Sequence, residues 1–322
     1  MDPKAKKTVK YILSFALAAV LVWFAFRKVD WTAFLDGLKE TRWIWIPAFF
    51  AASIGALVFR ALRWKMLLRP LDGSTRTLSV WDANNVGNLA NVVLPGSGEF
   101  VRCGYVCKKA GYDAVLGTAV VERACDMLAI VLLFVLALVI DGARFGDFFK
   151  ESILSPASGR LSLWWIALTA LLVVSLAIWA VFHFRKRNAF CGKLAAFMEG
   201  LWRGIGSISR MDNKIGFILY TICIWLMYVL MSWCIIKAVP ALDVLGMADA
   251  LFISAVGNIA SVIPVPGGIG AYHYLVALTL SSLYGASWDI GILFATLNHE
   301  LHLLLVIALG AISYFFITLR KK

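Results

Sequence analysis

Charged residues are scarce in this 322-residue sequence: they make up 16% of the chain, against 61% hydrophobic residues. A soluble globular domain carries about 25% charged residues, and a mean hydropathy of +0.82 argues against that class. The apolar runs, such as residues 127–140 and 163–182, are continuous and do not alternate with polar residues. Continuous runs disfavour a transmembrane β-barrel and predict an all-α integral membrane protein.

Several chemical signatures are missing as well. The six cysteines are scattered, and Cys103 and Cys107 lack the partners of a zinc knuckle, so neither a disulfide framework nor a cysteine metal site is expected. No Ser-His-Asp order, nucleotide-binding loop or cofactor fingerprint stands in a suitable context. No convincing cleavage site follows the first apolar run, which predicts a retained first span. We therefore expect no cofactor, no metal and no catalytic residues.

The net charge of +12 comes from basic residues gathered in short segments between the apolar runs. Such segments set membrane orientation and contact anionic lipid headgroups. They form no basic patch with interleaved aromatic residues, so nucleic acid is not an expected partner. Lysines before the first span and Arg320, Lys321 and Lys322 after the last one place both termini in the cytoplasm by the positive-inside rule.

Six full spans are predicted, with a nearly neutral external loop at 27–42 and an amphipathic connector at 188–211. The basic residues Arg60, Arg63, Lys65, Arg69 and Arg76 are assigned to a cytoplasmic loop after the second span. The predicted spans are 9–26, 43–59, 114–140, 161–182, 215–236 and 290–319.

Two further apolar stretches, 86–102 and 256–270, are interrupted by Asn, Pro and Gly. Each arm is shorter than the ~20 apolar residues of a comfortable span. A re-entrant hairpin fits both stretches, although two short full spans would give the same charge parity. A backbone broken inside a bilayer must be covered by protein or line a water-filled cavity. The broken stretches therefore predict a polar cavity within the membrane.

The two stretches begin alike, with Val86-Gly87-Asn88 and Val256-Gly257-Asn258, and both continue to a Pro/Gly turn. Their flanking spans run in opposite directions, which makes an inverted-topology repeat of the kind found in secondary transporters. The turns near Pro95 and Pro264 are expected to approach each other. The single membrane domain of residues 1–322 is thus divided into an N-terminal span and loop (1–42), repeat 1 (43–140), a linker span and connector (141–211) and repeat 2 (212–322).

Charged residues cluster after the first turn and in the third span. At a helix centre each costs ~2.5–3.5 kcal/mol, so they should face a cavity or one another. They either form a polar lining or pin the third span at the cytoplasmic interface, and the sequence leaves both open. The cluster consists of Glu99, Arg102, Glu122, Arg123 and Asp126.

The last span carries His299, Glu300 and His302, but their spacing is not the His-Glu-x-x-His of zinc proteases. A third ligand would have to be His273 from the second broken stretch. We therefore interpret residues 298–302 as a cavity lining opposite the 122–126 segment.

Three ordered motifs resemble the lysylphosphatidylglycerol synthase transmembrane-region family, the flippase-like membrane domain of multiple peptide resistance factors. They are Asn88 with Leu94-Pro95-Gly96-x-Gly98-Glu99-x-x-Arg102, then Glu122-Arg123-x-x-Asp126, then Pro264-x-Pro266-Gly267-Gly268-Ile269-Gly270. The resemblance covers nearly the whole chain. Tyr272-His273 stands where the family usually has an acidic residue, and Asn298-His299-Glu300 where it usually has an arginine. These departures imply a headgroup other than an aminoacylated phosphatidylglycerol, and the lack of a soluble transfer domain makes lysyl transfer an unexpected activity.

The resemblance implies a bacterial or archaeal protein of the cytoplasmic membrane that moves or binds a phospholipid or lipid-linked intermediate. Membrane lipids are the expected partners, and the resemblance is compatible with a homo-oligomer. The alternatives are a membrane enzyme acting on a lipid-linked substrate and a scaffold for an envelope-biosynthesis partner. The predicted substrate-binding residues are Asn88, Pro95, Gly96, Gly98, Glu99, Arg102, Glu122, Arg123, Asp126, Asn258, Pro266, Gly267, Gly268, Gly270, His273, His299 and Glu300.

Overall fold

In the computed structural model of the chain, the described residues are 16, 18–106, 110–140, 142, 192, 195, 198–200, 202–203, 206–260 and 265–320. They form helices and turns, and no β-strand occurs among them. The all-α class predicted from the sequence is therefore confirmed for this part. The main α-helices are α1 (18–26), α2 (Trp31–Glu40), α3 (Ile46–Leu68), α4 (Thr77–Val93), α5 (Ser97–Tyr105), α6 (Tyr112–Ile140), α7 (Lys214–Ala238), α8 (Met247–Ile259), α9 (Ala271–Tyr284) and α10 (Trp288–Arg320).

Three helical segments of the described part are long and apolar enough to cross a bilayer: Trp43–Leu68, Lys214–Ala238 and Trp288–Arg320. Helix α6, at 29 residues, is about 44 Å long at 1.5 Å per residue. Its second half exposes a row of apolar side chains that includes Leu128 and Leu132. Exposed aliphatic side chains on long helices suit contact with lipid tails, as expected for an integral membrane protein.

The structure corrects the end of the second span. The sequence predicted an end near residue 59 because basic residues follow, but α3 continues to Leu68. Arg63 lies within this helix and is fully buried, so it is not a loop residue. The predicted loop 27–42 also contains a helix, α2, whose N-terminus is capped by the Asp30 carboxylate, which accepts from the amides of Thr32 and Ala33.

Helices α4 and α5 pack against each other as a hairpin. The turn between them is held by its own side chains: the Gly98 amide donates to Asn91 Oδ1 at 2.7 Å, and Ser97 Oγ donates to the Ala90 carbonyl at 3.0 Å. Gly96 precedes α5 with φ +75°, in the left-handed region that favours glycine. These contacts satisfy polar backbone groups that the break in the helix exposes.

Helices α8 and α9 form the second hairpin around a short 3₁₀ turn, Pro266–Gly268. Gly87 of the first hairpin and Gly257 of the second occupy equivalent positions, and each lets the two arms of its hairpin pack closely. A Cβ on Gly87 would lie 2.8 Å from the Gly98 carbonyl oxygen, and a Cβ on Gly257 would lie 2.6 Å from the Tyr272 ring. Each hairpin therefore needs glycine at the point where its second arm crosses the first.

Ion pairs tie the helix ends together at opposite ends of the bundle. At one end, Arg42 pairs with Asp243 at 2.7 Å and joins the α2–α3 connection to the loop before α8. At the other, Arg320 at the end of α10 pairs with Asp82 near the start of α4 at 2.7 Å. The first hairpin thus begins at the Arg320 end of the bundle and the second at the Arg42 end.

Some predicted segments lie outside the described residues. They are the beginning of the first span (9–15), the fourth span (161–182) and part of the connector, namely residues 188–191, 193–194, 196–197, 201 and 204–205.

Candidate ligand-binding cavity

A cavity of about 650 Å³ lies between the two hairpins, and α3, α6, α7 and α10 also contribute to its lining. Both broken segments contribute to its wall. The first hairpin supplies Asn88, Asn91, Val92, Leu94, Pro95, Gly96 and Glu99, and the second supplies Ser254, Gly257, Asn258, Ala260, Val265, Gly267, Gly268 and Tyr272.

The turns of the two hairpins meet at this cavity. Pro95 and Gly96 of the first turn line it together with Val265 and Gly267 of the second. The sequence prediction named Pro95 and Pro264 as the approaching tips, and Pro264 lies outside the described residues. Helix α4 also contacts the Pro266–Gly268 turn directly.

A network of buried ion pairs stands behind the cavity wall, with Arg63 of α3 at its centre. Its guanidinium donates to Asp126 at 2.7 Å and to Glu122 at 3.2 Å. Glu122 also pairs with Arg102 of α5 at 2.7 Å. The side chains of Arg63 and Glu122 are wholly inaccessible, so in a low-dielectric interior each charge depends on its partners. The network joins α3 to the consecutive helices α5 and α6.

Arg102 belongs to this structural network. It donates to Asn84 at 2.9 Å, and its guanidinium lies 4.3 Å from the centroid of the Trp64 ring. Only 4% of the residue is exposed. The sequence placed Arg102 in the binding site, whereas here its donors are directed at protein groups.

Arg60 and Arg123 differ, because both line the cavity and their ion pairs are long. Arg60 lies 3.8 Å from Glu122, and Arg123 lies 3.6 Å from Glu99 and 3.5 Å from Asp126. The whole group holds four arginines (Arg60, Arg63, Arg102, Arg123) and three carboxylates (Glu99, Glu122, Asp126). Four minus three leaves one positive charge beside the cavity.

The opposite wall is formed by α9 and α10. Asn298 donates to Tyr272 Oη at 2.7 Å, and His302 Nδ1 lies 2.6 Å from Ser53 Oγ of α3. His299 Nε2 lies 2.8 Å from the carbonyl oxygen of Gly267 and so joins α10 to the second turn. This wall offers neutral hydrogen-bonding groups, in contrast to the arginines opposite.

Nine of the predicted site residues line the cavity: Asn88, Pro95, Gly96, Glu99, Arg123, Asn258, Gly267, Gly268 and His299. The others stand outside this lining in the described part of the chain: Gly98, Arg102, Glu122, Asp126, Pro266, Gly270, His273 and Glu300. Gly98 lies in the crossing of the first hairpin, and a Cβ on Gly270 would lie 2.7 Å from the Val22 amide of α1. These two glycines allow close packing of helices.

Sequence reasoning missed Arg60, Arg63, Asn91 and Tyr228 among the residues that build the site. The arginines were counted as loop charges because they follow an apolar run. Arg60 and Arg63 are three residues apart, which places both on one helix face. This spacing could have identified them as partners of the third-span carboxylates Glu122 and Asp126. Asn91 follows the recognised Asn88 by three residues and shares its face.

The residues that could hold a metal are His273, His299 and Glu300, whose ligand atoms all lie within 4.8 Å of one another. The sequence had predicted no metal because the spacing of His299 and His302 is not that of a zinc protease and because a third ligand, His273, would have to come from the second hairpin.

Long apolar helices around an internal cavity lined by both polar and apolar side chains place the chain in the class of integral membrane proteins. The chain belongs to the family described as the lysylphosphatidylglycerol synthase TM region, whose pattern matches residues 11–310. This confirms the resemblance inferred from the three motifs. No curated protein and no solved structure shows a significant match to the chain.

Proposed function

We propose that this protein is a lipid flippase-like transporter that binds the headgroup of a phospholipid or lipid-linked intermediate in the cavity between its hairpins. The observation that carries the proposal is the shared cavity: both broken segments line it, together with Arg60 and Arg123. A family named for a lipid synthase membrane region supports a lipid as substrate.

The excess positive charge favours an anionic headgroup. A phosphate oxygen is a good acceptor for paired guanidinium donors, and Arg60 and Arg123 are the cavity arginines with long ion pairs. The hydrogen-bonding wall opposite, with Asn258 and His299, suits hydroxyl or amine groups beyond the phosphate. We therefore assign the phosphate to the arginine side of the cavity.

The transporter interpretation includes six full spans and two re-entrant hairpins in an inverted repeat. Helix lengths support it: α5 has 9 residues, α8 has 13 and α9 has 14, all below the ~20 that span a bilayer. The hairpins also begin at opposite ends of the bundle. In transporters of inverted-repeat design, a site between such broken helices is reached alternately from the two sides.

We further propose that the protein lies in the cytoplasmic membrane with the Arg320 end inside. The basic residues of the α3–α4 connection support this by the positive-inside rule. Single cysteines at Gly73 and at the 91%-exposed Val244, in a background without the six native cysteines, test it. A membrane-impermeant maleimide should label Val244→Cys in intact cells and Gly73→Cys only after permeabilisation. The reverse pattern would refute the orientation.

Transport is tested in liposomes that contain the purified protein and fluorescent anionic phospholipid. Arg60→Gln and Arg123→Gln should each slow transbilayer movement at least about tenfold, because either change removes a cationic donor from the cavity. Arg42→Gln is the matched control, since Arg42 lies in the Asp243 pair at the bundle end. Wild-type rates in both cavity variants would refute the assignment.

A transporter releases the lipid chemically unchanged, whereas an enzyme would modify it. Mass spectrometry of the recovered lipids should show no new species after transport. A modified lipid that appears only with the wild-type protein would favour the enzyme instead.

A further inference from the structure

Three side chains with metal-ligating atoms meet beside the second hairpin turn. His273 begins α9, and His299 and Glu300 are neighbours on α10. His299 Nδ1 lies 3.0 Å from Glu300 Oε1, and His273 Nε2 lies 3.6 Å from the same oxygen. This group takes no part in the arginine network or in the phosphate assignment above.

The hydrogen bond of His299 determines which ring nitrogen carries a proton. Nε2 lies 2.8 Å from the Gly267 carbonyl oxygen, which can only accept, so Nε2 must be the donor. In the neutral ring, Nδ1 then presents a lone pair to a carboxylate oxygen at 3.0 Å. Two such electron-rich atoms repel each other unless a proton or a metal cation lies between them.

The ring of His273 also lacks a close hydrogen-bond partner among the described residues. The residue is 1% exposed, and its Nδ1 is buried without a hydrogen-bond partner among the described residues. Its Nε2 faces Glu300 at 3.6 Å, longer than an ordinary hydrogen bond. This long separation leaves the Nε2 lone pair available to a cation beside the Glu300 carboxylate, with the ring proton on Nδ1.

We propose that His273 Nε2, His299 Nδ1 and the Glu300 carboxylate bind a divalent transition-metal ion, for which Zn²⁺ is the natural probe. Ligands about 2.0–2.2 Å from a tetrahedral zinc ion lie about 3.3–3.6 Å apart. The observed separations of 3.0 and 3.6 Å bracket that range, and all three ligand atoms lie within 4.8 Å of one another. Small side-chain rotations therefore suffice to enclose the ion.

The surroundings of His299 match those of established histidine metal sites. A metal-bound imidazole usually donates its other N–H to a carbonyl or carboxylate, which fixes the ring, and the Gly267 carbonyl does this for His299. Two histidines and one carboxylate leave a fourth position for water or a ligand oxygen. The ion would also tie the Pro266–Gly268 turn to α10. This inference does not depend on lipid transport.

The test uses the full-length protein in detergent, stripped with a chelator and titrated with Zn²⁺ by calorimetry, with metal content measured by elemental mass spectrometry. Wild type should bind one Zn²⁺ per chain. His273→Ala and His299→Ala should weaken binding at least about tenfold, because each removes a ligand. His302→Ala is the matched control: it lies on the same helix, bonded to Ser53 and outside the ligand group.

A further variant distinguishes the loss of a metal ligand from misfolding of the protein. Glu300→Gln keeps the shape of the side chain while removing its charge, and it should weaken Zn²⁺ binding with an unchanged thermal unfolding midpoint of the metal-free protein. Absorption of the Co²⁺-loaded wild type should show the intense visible bands of a four-coordinate site. Absence of Zn²⁺ binding by the wild type, or equal binding by His299→Ala and His302→Ala, would show that only a His–carboxylate ion pair exists and would overturn the proposal.

Discussion

Two arginines three residues apart on α3 should have separable roles, and Arg63→Leu tests the structural one. Arg63 is fully buried and donates to both Glu122 and Asp126. Removing one member of a buried ion pair typically costs about 3–5 kcal/mol, since it leaves an uncompensated charge. Arg102 remains beside Glu122 at 2.7 Å, so we expect a loss near the lower end, about 3 kcal/mol, in the free energy of unfolding.

Arg60→Leu is the matched comparison, with the same chemistry one helical turn earlier. Its contacts with Tyr228 and Glu122 are long, at 3.4 and 3.8 Å, and it lines the cavity. Arg60 keeps 19% of its side chain exposed, and Glu122 stays paired with Arg63 and Arg102 when Arg60 is removed. The loss should therefore stay near the upper value for ion pairs that keep contact with solvent, about 1 kcal/mol. The variant should therefore keep its stability within about 1 kcal/mol while losing lipid movement.

The assay is equilibrium unfolding in mixed micelles titrated with a denaturing detergent, followed by tryptophan fluorescence, with liposome transport measured in parallel. A stable Arg63→Leu protein would refute the idea that Arg63 neutralises buried carboxylates. Equal destabilisation by the two variants would refute the division between a structural and a cavity arginine.

Two further predictions concern packing and pH. Gly87→Ala should destabilise the protein by about 1–3 kcal/mol through overpacking, because its Cβ would meet the Gly98 carbonyl at 2.8 Å; Gly104→Ala, with open space within 4 Å, should be neutral or stabilising in the same unfolding assay, and the reverse order would contradict the crossing. The hydrogen bond from Arg42 holds the pKa of Asp243 below its ordinary 3.8, so this carboxylate stabilises the fold above that pH and the contribution is lost as pH falls through the lower folded value. The thermal midpoint of wild type should exceed that of Asp243→Asn at pH 6 and converge with it well below pH 3.8; a constant difference would exclude the linkage.

Apolar length predicted the long helices of the described part well. The third span was placed at 114–140, and α6 covers Tyr112–Ile140; the fifth was placed at 215–236, and α7 covers Lys214–Ala238. Lipid-facing helices must be apolar over a length set by the bilayer, so composition alone locates them. Prolines and glycines located the breaks in the two hairpins, because these residues interrupt a helix through their own backbone geometry.

The partners of buried charges could not be found in this way. Arg63 meets Glu122 and Asp126 across 59 and 63 residues of sequence, and charge counting treats any arginine after an apolar run as a loop residue. Which charges line a cavity and which neutralise one another depends on side-chain direction after the helices pack. Arg102, which the sequence placed in the binding site, is therefore structural. Arg60, which the sequence placed in a loop, lines the cavity.

The ion network also constrains how the protein is made. Its members lie on α3, α5 and α6, so a nascent chain that has not yet reached Glu122 holds three of the arginines and only the Glu99 carboxylate. Those guanidiniums have no place in lipid until the third helix arrives. We therefore expect the first half of the protein to leave the insertion machinery as a group of helices, since the buried arginines gain their carboxylate partners only with α6.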